Sequence, residues 1–327
     1  MQGKASSSIT EGEVTWKLPG NGEEVRTWYK VVGDLENSHQ LPLVALHGGP
    51  GAGHNYISPM ADLHSKFGVP VVLYDQVGCG RSTHLRSKTG DEGFWTENLF
   101  VHELDTIVDH LKIRQRGFNV WGSSWGGMLA GVYASRRPEG LQKIVIASGP
   151  CDMKTYLECV NKLLSELPDP IRQTLEDCDK RGDIESPEYE AASLEFIKRH
   201  VCRVDPLPDD VMATFNNLKE DPSTVYMTMQ GPSEFRVIGN LKNWEATSRA
   251  HNITAKVLLT NGRYDEAQNS SMEGWSQKIP NVEWVVFEDS SHTPFWEERE
   301  HYMDVVGRFL IGPALIYCNC RDKNYDI

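Results

Sequence analysis

The chain has 327 residues, 39% of them hydrophobic, so it can bury a sizeable core of one large domain with an insertion or of two domains. Its formal net charge of −13 at pH 7 argues against binding to nucleic acid or to an anionic membrane surface. Residues 1–10 lack the apolar core of a secretion signal, and the late apolar run 309–317 is too short to cross a bilayer.

Seven cysteines are scattered along the chain. An odd number without an export signal predicts reduced thiols and a cytoplasmic protein. Cys318-x-Cys320 has the spacing of two metal ligands, but no second cysteine pair or histidine cluster accompanies it. We therefore expect no metal site and no organic cofactor, and we give the tail 318–327 no structural role.

The first half of the chain alternates strand-like and helix-like segments. Two alternating segments, 13–18 and 25–32, are joined by Pro-Gly-Asn-Gly, which predicts a β-hairpin. Four short apolar runs are typical of buried strands, and helical spacing of apolar residues at 98–113 separates two of them. These runs are 43–46, 69–74, 118–121 and 144–147. The alternation predicts a parallel sheet, which binds ligands at the carboxyl ends of its strands.

Residues 151–251 have a different pattern. They show helical spacing, many charges and several proline-bearing breaks, without a strong strand pattern. Strand-like runs return at 257–260 and 282–287, and an amphipathic segment follows at 300–310. The simplest interpretation is one discontinuous α/β core with a helical cap inserted near its middle.

The junction between the run 118–121 and a following helical run contains Gly-x-Ser-x-Gly centred on Ser124. This is the nucleophile-elbow pattern of the α/β-hydrolases, in which a strained turn exposes a serine hydroxyl at a helix N-terminus. Residues two before and two after the serine crowd each other, so Gly122 and Gly126 suit the turn. Ser123 is the poorer candidate nucleophile because Trp121 would then fill a crowded flank.

A serine hydroxyl needs a base to remove its proton, and a carboxylate orients that base. In α/β-hydrolases the chain order is serine, then acid, then histidine. Asp265 and His292 follow the two late strand-like runs in this order. We predict Ser124 as the nucleophile, Asp265 as the orienting acid and His292 as the general base; Asp152, also at a strand end, is the alternative acid.

The oxyanion of the tetrahedral intermediate needs two backbone N–H donors. We predict that one comes from Trp125, the residue after the nucleophile. The second should come from the loop His47-Gly-Gly-Pro-Gly51, where glycine allows the backbone to approach the substrate closely. Gly48 and Gly49 both fit this role.

Four motifs together resemble those of the proline iminopeptidases. They are His47-Gly-Gly-Pro-Gly51, Asp75-Gln-Val-Gly-Cys-Gly-Arg-Ser82, Gly122-Ser-Ser-Trp-Gly-Gly127 and Met229-Gln-Gly-Pro-Ser-Glu-Phe235. The resemblance extends over nearly the whole chain. It implies an α/β-hydrolase fold, with a core of residues 1–150 and 252–327, helices on both faces of a mostly parallel sheet, and an inserted helical cap at residues 151–251.

The resemblance also implies how the substrate is held. In this family two glutamates bind the free α-amino group of the substrate, and they match Glu234 and Glu266. An ammonium group has three donors and no acceptor, so a pair of carboxylates suits it. The implied reaction releases an N-terminal residue, preferably proline, from a short peptide or an amino-acid amide through an acyl-enzyme.

Two other functions stay open at this point. The same machinery could serve an esterase, amidase or lactonase of a specialised small-molecule pathway, because the fold alone does not fix the substrate. A ligand-binding protein on a hydrolase scaffold is the third possibility, although an intact set of serine, acid and histidine argues against it.

Two further groups of residues have expected roles. Asp75 and Arg81 are expected to hold neighbouring loops rather than to react. Six aromatic residues could line a pocket for a flat apolar ring. They are Trp125, Tyr156, Phe196, Phe215, Tyr226 and Phe235.

Overall fold

The computed structural model describes residues 8–220 and 225–312, so the C-terminal tail that contains Cys318 and Cys320 lies outside the described residues. Eight strands form a single sheet. The strands are β1 Ile9–Lys17, β2 Glu24–Val32, β3 Leu43–Leu46, β4 Val71–Tyr74, β5 Phe118–Ser123, β6 Leu141–Ala147, β7 Lys256–Gly262 and β8 Val282–Phe287. Their order across the sheet is β1-β2-β4-β3-β5-β6-β7-β8.

The predicted hairpin is formed by β1 and β2, which pair antiparallel from Ile9–Val32 to Lys17–Glu24. Near its turn, Val14 and Trp16 are buried and their sequence neighbours are exposed, as expected for a ribbon with one face on the core. β2 also pairs antiparallel with β4, and every pair from β4 to β8 is parallel. All residues of β3, β4 and β5 are buried, because helices cover both faces of the parallel part.

The helices described in the structure comprise those that cover the sheet and those of an insertion between β6 and β7. They are α1 Asp62–Phe67, α2 Glu97–His110, α3 Trp125–Ser135, α4 Met153–Ser165, α5 Asp169–Arg181, α6 Pro187–His200, α7 Asp209–Glu220, α8 Val225–Met229, α9 Asn269–Lys278, α10 Pro294–Glu297 and α11 Arg299–Ile311. Apolar residues of α2, α3 and α9 belong to one core cluster, and those of α1, α10 and α11 belong to the other. This arrangement confirms the predicted architecture. Within the described ranges, no helix is both long enough and apolar enough to cross a membrane.

A long helical insertion separates two neighbouring strands. β6 and β7 pair directly, from Lys143–Lys256 to Ala147–Thr260, although α4 to α8 lie between them in the chain. Prolines mark the first turns of α5 and α6, where a missing N–H costs nothing. The sheet therefore brings the carboxyl ends of β6 and β7, one before and one after the insertion, to the same edge. The boundaries 151 and 251 of a separate cap domain stay a prediction.

Candidate functional site

The elbow at Ser124 is built by a strand that turns directly into a helix. Ser124 stands between β5 and α3 with φ 57° and ψ −123°, a strained conformation that costs about 1–3 kcal/mol. Its N–H donates to the Ala147 carbonyl at 2.8 Å, which fixes the turn to the adjacent strand. A Cβ on Gly122 would overlap the Gly126 carbonyl, and one on Gly126 would overlap the Leu46 carbonyl. The turn therefore requires both glycines.

The glycine loop after β3 lies against this elbow. A Cβ added to Gly48 would stand 2.9 Å from Ser124 Cβ, so the loop is in contact with the serine. The Gly48 N–H is already used, because it donates to the Tyr56 hydroxyl at 2.7 Å. Within the described residues, neither the Gly49 N–H nor the Trp125 N–H has an acceptor. Trp125 is the first residue of α3, where an N–H has no intrahelical acceptor.

Gln76 ties three loops of the site together. Its N–H donates to His47 Nε2 at 2.9 Å, and its side-chain amide donates to the His47 carbonyl at 2.9 Å. Its side-chain oxygen accepts from the Trp125 indole at 3.0 Å. Burial lowers the pKa of His47 to about 4, so the ring is neutral and can accept at Nε2.

Asp75 has the loop-holding position expected from the sequence. It accepts hydrogen bonds from the backbone N–H of His54 at 2.7 Å and of Arg81 at 2.9 Å. The Arg81 side chain turns away from the site and pairs with Glu11 at 2.9 Å. Arg81 thus acts in this loop through its backbone.

An aspartate and a histidine meet at the ends of β7 and β8. His292 Nδ1 lies 2.7 Å from Asp265 Oδ1, and both residues are buried. Asp265 Oδ1 also accepts from the Ala267 N–H at 2.8 Å, which orients the carboxylate. Asp152, the alternative acid, instead caps α4 by accepting from the Thr155 N–H at 2.8 Å. The carboxylate that contacts the predicted base is therefore Asp265.

Ser148, directly after β6, connects the elbow side of the sheet to the histidine. Its N–H donates to the Thr260 carbonyl at 2.7 Å, and its hydroxyl donates to the His292 carbonyl at 3.2 Å. In the described part of the chain, no hydrogen bond joins the Ser124 hydroxyl to His292. Such catalytic bonds are often long in ligand-free enzymes and shorten when substrate binds.

The two glutamates expected from the resemblance lie on different elements of the same site. Glu266 is 1% exposed, and its Oε1 lies 3.8 Å from His292 Nε2. Glu234, in the insertion, accepts at Oε1 from the Tyr226 hydroxyl at 2.6 Å and at Oε2 from the Gln230 amide at 3.3 Å. These two donors were not singled out as partners of Glu234 by the sequence, because neither belongs to a motif with a known spacing.

The electrostatics of the site are dominated by carboxylates. Burial raises the pKa of Glu266 and of Glu234 above their ordinary values. Burial alone would lower the pKa of His292, but the charge and hydrogen bond of Asp265, with the charges of Glu266 and Glu234, raise it to about 9. No lysine or arginine pairs with any of these carboxylates within residues 8–220 and 225–312. The arrangement favours a cation supplied by a ligand.

The aromatic residues expected to line a pocket are mostly buried. The Tyr156 hydroxyl donates to the Glu234 carbonyl at 3.4 Å, and the rings of Phe196 and Phe235 meet edge-on at 5.5 Å. The Trp125 ring belongs to the core beside the elbow. That ring packs edge-on against Phe100 at 5.5 Å and is 1% exposed, because its indole N–H is directed to Gln76.

The stretch that begins with the last residue of α6, residues 200–203, contacts the loop that carries Asp265. We call it the exit segment. The Glu266 N–H donates to the His200 carbonyl at 3.1 Å. The His200 ring pairs through Nδ1 with the Tyr264 carbonyl at 2.9 Å. The inserted helices thus hold the backbone on both sides of Asp265.

The exit segment also contacts the histidine loop. The Thr293 hydroxyl donates to the Val201 carbonyl at 3.0 Å, and the Arg203 N–H donates to Glu297 Oε1 at 2.7 Å. Glu297 also accepts from the Ser291 N–H at 2.7 Å and the Ser291 hydroxyl at 2.6 Å. The roles of Glu297 and the exit segment were not predicted from the sequence, because single polar residues outside any motif form no recognisable pattern.

The chain is similar in sequence to known proteins. Residues 42–299, which contain all the predicted site residues, match the alpha/beta hydrolase fold family. The proline iminopeptidase of Saccharolobus solfataricus is 33% identical over 287 residues, covering 86% of this chain and 87% of the relative.

Two solved structures are similar over most of their length. The proline iminopeptidase of Mycobacterium smegmatis has 39% identity and a TM-score of 0.82, covering 91% of this chain and 97% of the other. The crystal structure of VinJ has 40% identity and a TM-score of 0.86, covering 91% and 98%. Each similarity therefore covers nearly the whole length of both chains.

Proposed function

Because the chain belongs to the proline iminopeptidase family of α/β-hydrolases, we propose that it releases an N-terminal residue, preferably proline, from short peptides or amino-acid amides. The observation that supports the proposal is that the serine elbow, the contacting histidine–aspartate pair and the adjacent Glu266 follow the carboxyl ends of parallel strands, with the buried Glu234 of the insertion as a further carboxyl group. The carboxylates have no lysine or arginine partner among the described residues. This site suits a substrate with both a reactive carbonyl and a free amine.

The chemistry begins at the elbow. Ser124 Oγ forms a bond to the substrate carbonyl carbon while its proton passes to His292 Nε2. Asp265 accepts from His292 Nδ1 and stabilises the imidazolium that results. The developing oxyanion is bound by the N–H groups of Gly49 and Trp125. We choose Gly49 over Gly48 because the Gly48 N–H already donates to Tyr56.

Collapse of the tetrahedral intermediate breaks the carbon–nitrogen bond. The leaving amine takes the proton from His292 Nε2, and the aminoacyl group stays on Ser124 as an ester. Water then attacks this ester and gives its proton to His292. The second collapse returns that proton to Ser124 Oγ and releases the amino acid. No step requires a metal or an organic cofactor.

Recognition of the free amine is assigned to Glu234 and Glu266. Each charge-assisted hydrogen bond to a carboxylate contributes roughly 1.5–3 kcal/mol. A blocked amine would lose these bonds and leave two desolvated carboxylates unpaired. The free amine therefore determines which end of a peptide enters the site.

The proposal also includes the size of the substrate and the location of the protein. We expect a short peptide with a free amino terminus, because the inserted helices pack over the loops that carry Asp265 and His292. A cytoplasmic location is consistent with the five described cysteines, which form no disulfide with one another.

The experiment compares prolyl-, alanyl- and N-acetylprolyl-naphthylamide with a simple acyl ester. We expect turnover of prolyl-naphthylamide above alanyl-naphthylamide and little turnover of the N-acetylated compound. Equal turnover of the acetylated and free compounds would remove the amine-binding role of the glutamates and favour an esterase or amidase.

The nucleophile is tested with Ser124→Ala, which the elbow accepts sterically. Activity should fall by several orders of magnitude while the folded state persists, as judged by circular dichroism. A fluorophosphonate should label the wild-type chain at Ser124. Absence of an adduct in folded wild-type protein would favour a ligand-binding role instead.

A further inference from the structure

The surroundings of His292 contain more carboxyl groups, and therefore more potential negative charge, than orientation of the ring requires, although burial raises the pKa of Glu266 to about 8. Asp265 already holds Nδ1 at 2.7 Å. On the other side of the ring, Nε2 lies 3.8 Å from Glu266 Oε1. Nε2 is the atom that must be unprotonated to receive the proton of Ser124. A buried acid thus lies beside the atom of the ring that receives the serine proton.

The other groups around the ring do not balance this charge. The carboxyl groups near the ring and its loop belong to Asp265, Glu266, Glu234 and Glu297. The phenols of Tyr156 and Tyr226 stay neutral, because burial raises the pKa of each well above its ordinary value. Burial lowers the pKa of His200, so its ring adds no cation at neutral pH. Among these groups, His292 is therefore the one that can become positive.

We propose that these carboxylates keep a proton on Nε2 of His292 in the free enzyme, and that the ammonium group of a substrate replaces this proton as their counter-cation. The inference rests on the proposed function, since it requires an amine bound by Glu234 and Glu266. When the amine binds, the Nε2 proton passes to solvent and the ammonium keeps its own protons. The Nδ1–H still donates to Asp265, so the ring is left as a neutral, oriented base.

The consequence is that a free amine acts on the chemical step as well as on binding. A histidine whose pKa is raised well above 7 is protonated in most molecules at pH 7. Each unit by which ammonium binding lowers that pKa makes about tenfold more molecules competent, as long as the pKa stays above the pH. A substrate with a blocked amine would meet an enzyme whose base is still protonated.

The test separates this activation from ordinary binding by using a reagent without an amine. A small neutral fluorophosphonate reacts with Ser124 at a rate that depends on unprotonated His292. Pyrrolidine, protonated at pH 7, supplies the ring and cation of proline without a carbonyl. We expect saturating pyrrolidinium to accelerate phosphonylation of Ser124 by about tenfold or more at pH 7. Neutral cyclopentanol and sodium chloride at equal ionic strength should not.

Simple competition predicts the opposite result. If pyrrolidinium inhibits hydrolysis of prolyl-naphthylamide but slows phosphonylation or leaves it unchanged, the inference is overturned. The proposed function would survive that outcome, because it depends on hydrolysis of the prolyl substrate and on labelling of Ser124. Loss of those two results would overturn the function itself.

The variant Glu266→Gln provides an arm that does not depend on pyrrolidine binding. It removes one carboxylate charge beside Nε2, so the pH at which phosphonylation reaches half its maximal rate should fall by one unit or more. Phosphonylation at pH 7 without amine should become faster than in the wild type, and pyrrolidinium should add little. Glu273→Gln, an exposed carboxyl on α9, is the matched control and should behave as the wild type. An unchanged pH profile in folded Glu266→Gln would contradict the inference.

Discussion

At the residue scale, the elbow shows how backbone contacts fix residue identity. The strained dihedrals of Ser124 and the contacts of the two flanking glycines could be expected from Gly-x-Ser-x-Gly, because a turn this tight leaves no room for a Cβ. The choice between Gly48 and Gly49 could not be made from sequence. It depends on the Tyr56 hydroxyl, which reaches the Gly48 N–H from eight residues away.

Gly122→Ala should destabilise the protein, because the new Cβ would overlap the Gly126 carbonyl. Backbone atoms cannot rotate aside as a side chain does, so we expect a loss of about 3 kcal/mol or more in the free energy of unfolding. Gly93→Ala is the control, since a Cβ there meets its nearest neighbour at 3.6 Å. Denaturant unfolding of both variants measures the difference, and equal stabilities would contradict the steric argument.

Glu234→Gln should weaken binding of free amines without impairing the triad. Loss of one charge-assisted hydrogen bond should raise KM for prolyl-naphthylamide about tenfold or more. KM for a neutral acyl ester should change little. Steady-state kinetics on both substrates check this, and equal losses on both would mean that Glu234 acts on folding or on the reaction itself.

At the element scale, the exit segment joins the inserted helices to the two loops that carry Asp265 and His292. Most of the strands and the long helices could be predicted from periodicity, with bounds that differ by a few residues. The contacts of residues 200–203 with these loops could not be predicted, because they are single hydrogen bonds between segments far apart in the chain. Nothing in local sequence encodes such contacts.

Glu297→Gln should lower kcat more than it changes KM. A glutamine amide would present N–H groups to donors from Arg203 and Ser291, which now share the Glu297 carboxylate. We expect a loss of about 2–4 kcal/mol in stability and a fall of about tenfold or more in kcat, because the loop holding His292 loosens. Glu273→Gln is the exposed control. A large rise in KM with unchanged kcat would instead place Glu297 in substrate binding.

At the scale of the whole molecule, buried acids make stability depend on pH. Glu103, on α2, is 0% exposed and accepts from the Val77 N–H at 2.8 Å and from the Thr27 hydroxyl. Burial raises its pKa to about 8. The folded state therefore holds this proton more tightly than the unfolded chain. The stability it contributes is present below the ordinary pKa of a glutamate and is lost as the pH rises to about 8.

Glu103→Gln should remove this dependence, since glutamine resembles the protonated acid at every pH. The variant should be close to the wild type in stability near pH 5 and more stable by roughly 2–4 kcal/mol above pH 8. Thermal unfolding of both proteins across this range measures the effect. A stability difference that does not vary with pH would show that Glu103 is ionised throughout.

The exit segment has a consequence for exchanging parts between relatives. A chimaera that carries another family member's insertion on this sheet would keep the sequence of its reactive loops yet lose the bonds that hold them. Recombination should therefore transfer residues 200–203 together with the inserted helices, or leave both in place. The helices expected to determine substrate preference and the contacts that hold the reactive loops must therefore be exchanged together.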